Sequence, residues 1–143
     1  MQTIRKIVFE EYDDLIKLWE KAGLSHRPRG RDSRENIERQ FRESNTIFLG
    51  GFEGSNLVSA AIVSHNGRKG WINRLAVHPD HRRRHLASEL ISASEKWLLE
   101  HNIEIFAVLI EDDNEDSMKL FEKNNYRKHT EIIYFTKKLR EEV

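Results

Sequence analysis

Leu75-Ala76-Val77-His78-Pro79-Asp80-His81-Arg82-Arg83-Arg84-His85-Leu86-Ala87 is the stretch on which the reading of the fold turns. An apolar strand stops, a proline without an N–H forbids its continuation, and three arginines lead into a helix start. Free backbone N–H groups and the positive end of a helix dipole converge at such a junction, which suits a pyrophosphate or several phosphates. Guanidinium groups add forked donors for the same anion. A solvated basic turn is the plain alternative for an arginine run. Position weighs against it, because each arginine at a helix start opposes the dipole by ~0.3–1 kcal/mol.

Working outward, Leu86, Leu90, Ile91, Trp97 and Leu98 recur at helical spacing, while Ser88, Glu89, Glu95 and Lys96 face away. Ile103 to Ile110 is nearly continuous apolar sequence, as in a central strand. Asn114 can cap a helix bearing Met118, Leu120 and Phe121 that ends at Asn124-Asn125, and the run Glu131 to Leu139 reads as a last strand. On the amino side, Thr46 to Phe52, Leu57 to Ser64 and Trp71 to Val77 are strands joined at Glu53-Gly54-Ser55-Asn56 and Asn66-Gly67, hence antiparallel hairpins. Ile4 to Phe9 is a first strand. A helical stripe follows at Tyr12, Leu15, Ile16, Trp19 and Ala22, closed by Gly23. After the basic loop Ser25 to Arg31, Asp32 with Glu35 offers a capping box for a short helix carrying Ile37 and Phe41.

These elements make an α+β chain with a mixed sheet, and 143 residues suit a single domain, 1–143. A chain of this length buries roughly 68–70% of its unfolded surface, enough for a full core. Its 24 Lys and Arg balance 24 Asp and Glu, so binding of nucleic acid by bulk charge is not expected. The chain has no cysteine, which excludes disulfide scaffolds, thiolate zinc sites and cysteine nucleophiles. The amino-terminal stretch does not read as a secretory signal and no run of about 18 apolar residues occurs, so a cytoplasmic protein with no membrane partner is expected.

At Leu75-Ala76-Val77-His78-Pro79 and Arg82-Arg83-Arg84-His85-Leu86-Ala87 the chain resembles the GNAT acetyltransferase superfamily. That family carries Arg/Gln-x-x-Gly-x-Gly/Ala after a strand ending Leu-x-Val-x-Pro. Arg82 and Ala87 match, and His85 replaces the first glycine. A second family block, Asn-x-x-Ala-x-x-Leu-Tyr-x-x-x-Gly-Phe, reads here as Asn114, Ser117, Leu120, Phe121, Asn125 and Tyr126. With the element order, the resemblance covers almost the whole chain. It implies a GNAT-like fold with a mixed central sheet of six to seven strands flanked by about four helices.

The resemblance also implies acetyl-CoA as cosubstrate, no metal, and transfer of the acetyl group to a primary amine of a small molecule or protein. Carried over, the backbone of Leu75, Ala76 and Val77 pairs with the pantetheine arm, and the Val77 N–H faces the thioester oxygen. The N–H groups of Arg83, Arg84, His85, Leu86 and Ala87 hold the pyrophosphate, with Arg82 opening the signature. Asn114 contacts the pantetheine or simply caps its helix, and Phe121 packs, against the pantetheine or within the core. His85 either restricts the loop, since a glycine lets backbone approach a ligand closely, or adds a donor when protonated. A homodimer is left open.

For a base, Trp71 and Leu109 stand where branches of the family carry glutamate. Glu111, beside Asp112 and Asp113, is therefore the catalytic candidate, directly or through water, with a solvated acidic loop as its plain alternative. His26 and His65 are weaker candidates. Phe121 stands at the family's acid tyrosine, and Tyr126 and Tyr134 are the nearest substitutes. Trp19 and Trp71 could wall an acceptor pocket, and Arg27-Pro28-Arg29-Gly30-Arg31 could attract an acidic acceptor or the CoA 3′-phosphate. A catalytically inactive acyl-CoA-binding protein is the competing reading.

Overall fold

The computed structural model describes residues 2–82 and 85–143. Among these, a five-stranded sheet runs in the order β1 (Thr3–Lys6), β2 (Thr46–Glu53), β3 (Asn56–His65), β4 (Gly70–Val77), β5 (Phe106–Ala107). The first three pairings are antiparallel and β4 with β5 is parallel, so the sheet is mixed, as expected. Four helices flank it: α1 (Tyr12–Lys21), α2 (Arg34–Phe41), α3 (Leu86–Glu100) and α4 (Glu115–Lys123).

Alternation along the strands sends side chains to two cores. Phe48, Phe52 and Ala60 pack with Leu15, Leu18, Trp19 and Ile37 under α1 and α2. Leu49, Ala61, Val63 and Ile72 pack with Leu90, Ile91, Leu98 and Phe121 under α3 and α4. The Asn66-Gly67 hairpin forms as read, with Gly67 at φ 86° and the Asn66 side chain accepting from the Arg68 and Lys69 N–H groups.

Four expectations need correction. Among the described residues the strand count is five, not six to seven. The apolar run 103–110 enters the ladder only at Phe106–Ala107. Glu131 to Leu139 joins no ladder and lies exposed, Phe135 at 86% and Leu139 at 91%. An apolar run becomes a strand only beside an edge that can accept it, and β5 offers a ladder of two residues. Finally, α2 is capped by Ser33, whose Oγ accepts from the Asn36 N–H at 3.1 Å, and not by Asp32. Asp32 is buried and turned back on its own loop, accepting from the Arg27 N–H at 2.7 Å. Among the described residues no helix is long and apolar enough to cross a membrane.

Candidate active site

The site is built on the carboxyl half of β4. There Ile62 pairs with Asn73, yet Ala60 pairs with Ala76, so Arg74 and Leu75 together oppose Ala61. This is a β-bulge, and Arg74 sits in it at φ 55°. Its effect is visible in the packing. Ile72 and Ala76 share strand parity, yet they enter opposite cores.

Past Trp71, β4 also leaves β5, for their register holds only Gly70 with Phe106 and Trp71 with Ala107. The edge of Leu75–Val77 that turns away from β3 therefore has no ladder partner among the described residues. The His78 N–H donates to the Val58 carbonyl at 2.8 Å, toward β3. One residue earlier, by strand alternation, the Val77 N–H faces the opposite, open edge.

The chain then turns through a short 3-10 helix, Pro79–His81, with His78 Nδ1 accepting from the Asp80 N–H at 3.2 Å. Arg82 spends its side chain on this corner: Nε donates to the Val77 carbonyl and Nη2 to the Ala22 carbonyl, each at 3.3 Å. Arg83 and Arg84, assigned to the pyrophosphate, lie outside the described residues.

His85 is exposed and is the N-cap residue of α3, at φ 61° and ψ 14°. This is the left-handed region, which explains why a glycine suits the position; histidine is among the few side chains that enter it. The His85 side chain makes no capping hydrogen bond. The first N–H groups of α3, from Leu86, Ala87 and Ser88, have no intrahelical acceptor and are directed at the corner. Leu86 itself is buried, and its carbonyl accepts from Gln2 Nε2 at 3.1 Å.

The other assigned residues lie in and before α4. Asn114 caps α4, its Oδ1 accepting from the Ser117 N–H at 3.2 Å. Phe121 is buried with its ring 5.0 Å from Tyr126, nearly perpendicular. The Tyr126 hydroxyl donates to Glu95 Oε2 at 2.6 Å, and burial, then that bond, push its pKa well above the ordinary tyrosine value. Its proton is thus engaged with Glu95. Tyr134 is exposed with the segment that joins no ladder. Glu111 is exposed at the approach to α4, where its carbonyl accepts from the Asn114 N–H.

A cleft of about 790 Å³ opens on the α1 and α2 side of β3 and β4, its lining including Trp71, Asn73, Arg74 and His65. Trp71 thus walls a cavity, whereas Trp19 is fully buried beneath it. Arg74 and the buried Gln2 are the residues that sequence reasoning missed. A bulge has no signal in one strand read alone, and a polar side chain near a terminus carries none.

The family model of the acetyltransferase (GNAT) family matches residues 8–126. An acetyltransferase of Sodalis glossinidius is 29% identical over 139 residues, spanning 97% of this chain and 96% of that one. One of Photorhabdus laumondii is 28% identical over 137 residues, spanning 95% and 94%. Among solved structures, the PaiA N-acetyltransferase of Thermoplasma acidophilum in complex with coenzyme A superposes with a TM-score of 0.77 at 20% identity, covering 87% of this chain and 88% of that one. The apo aminoglycoside 6′-N-acetyltransferase AAC(6′)-IG of Acinetobacter haemolyticus gives 0.78 at 19% identity, covering 96% and 99%. These likenesses are of fold.

Proposed function

Because the chain belongs to the GNAT acetyltransferase family, we propose that it transfers the acetyl group of acetyl-CoA to a primary amine by direct attack on the thioester. The observation that carries the reading is the open edge of β4 beside the start of α3. An extended pantetheine arm can continue the sheet along Leu75–Val77, and the N-terminal N–H groups of α3 then meet the pyrophosphate. Related proteins support it: the Thermoplasma protein binds coenzyme A, and AAC(6′)-Iy was solved with a CoA-linked acetylneamine analogue.

The chemistry follows from these groups. The amine nitrogen attacks the thioester carbon, a C–N bond forms, and charge collects on the carbonyl oxygen. The Val77 N–H is the donor for that oxygen. Collapse breaks the C–S bond, and the thiolate, with a pKa of ~8.5, leaves unprotonated at a cost of about 2 kcal/mol at pH 7, while the surplus proton on the new amide nitrogen passes to water and from water to the thiolate. An alkylammonium must first lose a proton, costing roughly 4.6 kcal/mol for a pKa near 10.4. Glu111, exposed and solvated, is the proposed acceptor of that proton through water.

A catalytically silent acyl-CoA binder is the second reading, favoured by Phe121, a buried ring where the family motif has its acid tyrosine. The test incubates the protein with acetyl-CoA and a panel of amines while free thiol is followed. Thiol release that requires an amine upholds the enzyme, and CoA binding with no turnover upholds the binder. Glu111→Gln should then lower the maximal rate and flatten the acid limb of its pH profile; an unchanged profile removes Glu111 as base.

A further inference from the structure

The bulge in β4 turns Arg74 toward the cleft in an unusual electrostatic setting. Its guanidinium carbon lies 4.4 Å from the centroid of the buried Trp19 ring. Nε and Nη2 are sealed from solvent and have no hydrogen-bond partner among the described residues. Burial lowers the pKa of the group; the charge of Asp32 works against that shift and Arg31 adds to it. Asp32 offers Arg74 charge but no hydrogen bond: its Oδ2 accepts from the Arg27 N–H at 2.7 Å and lies 3.9 Å from Arg31 Nε. The other acidic residue lining the cleft, Glu43, is exposed.

A half-buried cation with no hydrogen-bonded counter-ion is costly, and so is a non-glycine residue at positive φ. The remaining nitrogen, Nη1, is not sealed and has no hydrogen-bond partner among the described residues, so it is the one through which a ligand anion can offset both costs. Cleft volumes of about 300–1,000 Å³ suit small molecules, and this one, near 790 Å³, falls within that range. Arg74 stands three positions before Val77, roughly 10 Å along a strand, a separation one small molecule can bridge.

We propose that the acceptor is a small primary amine that also carries an anionic group, and that Arg74 binds that group. This inference rests on the acetyl-transfer reading above. A polycationic amino sugar would meet an unpaired guanidinium here, so this cleft does not suit the acceptors named for the aminoglycoside enzymes.

The experiment compares matched acceptors: 5-aminopentanoate against its amide, O-phosphoethanolamine against ethanolamine, and sisomicin as a polycation. The wild type should favour an anionic member over its neutral partner by at least about tenfold in kcat/KM, and which pair shows it distinguishes carboxylate from phosphate. Arg74→Asn, which tolerates a left-handed backbone, should bring that ratio near one, and Arg74→Lys should recover part of it. A wild-type ratio near one, a ratio unchanged in Arg74→Asn, or a preference for sisomicin overturns the proposal. If no amine is turned over, the acetyl-transfer reading fails separately. Calorimetric binding then decides: 5-aminopentanoate or O-phosphoethanolamine bound by the wild type and lost in Arg74→Asn upholds the anion site, and no such difference overturns it.

Discussion

Gln2 and Ser59 meet across 57 positions of chain, the serine hydroxyl donating to the glutamine carbonyl oxygen at 2.7 Å with both residues buried. The glutamine Nε2 donates onward to the Leu86 carbonyl at 3.1 Å and to Glu89 Oε1 at 2.9 Å. One amide thus ties the middle of β3 to the first turn of α3. Gln2→Ala leaves the Ser59 hydroxyl buried without its acceptor and should cost about 1–3 kcal/mol in denaturant unfolding. Acetyl-CoA affinity should fall with it, by roughly threefold to tenfold, or about 0.6–1.4 kcal/mol. A Cβ at Gly51 would collide with both partners, so Gly51→Ala and Gln2→Ala should combine non-additively. Wild-type stability in Gln2→Ala would refute the role given to the amide.

His85 occupies the left-handed region at the mouth of α3. His85→Gly removes a conformational cost of ~1–2 kcal/mol but returns about 0.5–1 kcal/mol of chain entropy, for a net gain of up to about 1.5 kcal/mol. His85→Val places a β-branched side chain there and should lose at least ~1–2 kcal/mol. Calorimetric affinity for CoA should be retained in the glycine variant, since its backbone can approach a phosphate closely. Thermal unfolding of the two variants checks the assignment, and a valine variant as stable as the wild type would contradict it.

These two sites show what the chain discloses on reading. The break at His78-Pro79 and the Asn66-Gly67 turn are legible because their chemistry is local: a missing N–H, and a glycine at positive φ. The faces of α1 and α3 are legible because burial follows helical periodicity. The Arg74 bulge is not, since it is a mismatch of register between β3 and β4 and belongs to neither strand alone. Gln2 is silent because its partners lie far along the chain. Glu131 to Leu139 misleads for a further reason: its β-branched and aromatic residues suit a ladder, and an open edge must come from elsewhere in the fold. In the site itself, the path of β4 into α3 was readable, and the cleft with its half-buried guanidinium was not.

Tyr126 gives a pH dependence of definite sign. Burial and donation to Glu95 raise its pKa above the ordinary tyrosine value. A raised pKa contributes stability that is complete below the unfolded value, about 10, and is lost as pH climbs toward the folded value. Between pH 8 and 9 the wild type should exceed Tyr126→Phe by about 1.5–3 kcal/mol, the worth of one hydrogen bond to a charged group. Above about pH 10 that margin should shrink. Phenolate absorbance should keep Tyr126 silent until alkaline unfolding, so the titrations of wild type and Tyr126→Phe should coincide up to the unfolding pH. An extra tyrosine titrating in the folded wild type would contradict the buried hydrogen bond.

Arg82 offers a choice between two physical roles. Its fork spans the carbonyls of Val77 and Ala22, so it fixes the end of β4 against the end of α1. A residue used for its shape differs from one used for its charge. Arg82→Ala should weaken CoA binding by about threefold to thirtyfold, the loss of one or two exposed hydrogen bonds at 0.5–1 kcal/mol each. Arg82→Lys decides between the roles. One ammonium cannot reproduce a planar fork reaching two carbonyls, so lysine should recover little of the affinity. If Arg82 acted as a point charge on the pyrophosphate, lysine would restore most of it, and the restored affinity would decline steeply with salt. Calorimetric titration of CoA against wild type, Arg82→Ala and Arg82→Lys at two ionic strengths separates the cases, and a lysine variant that binds as the wild type does would assign the side chain to the phosphate.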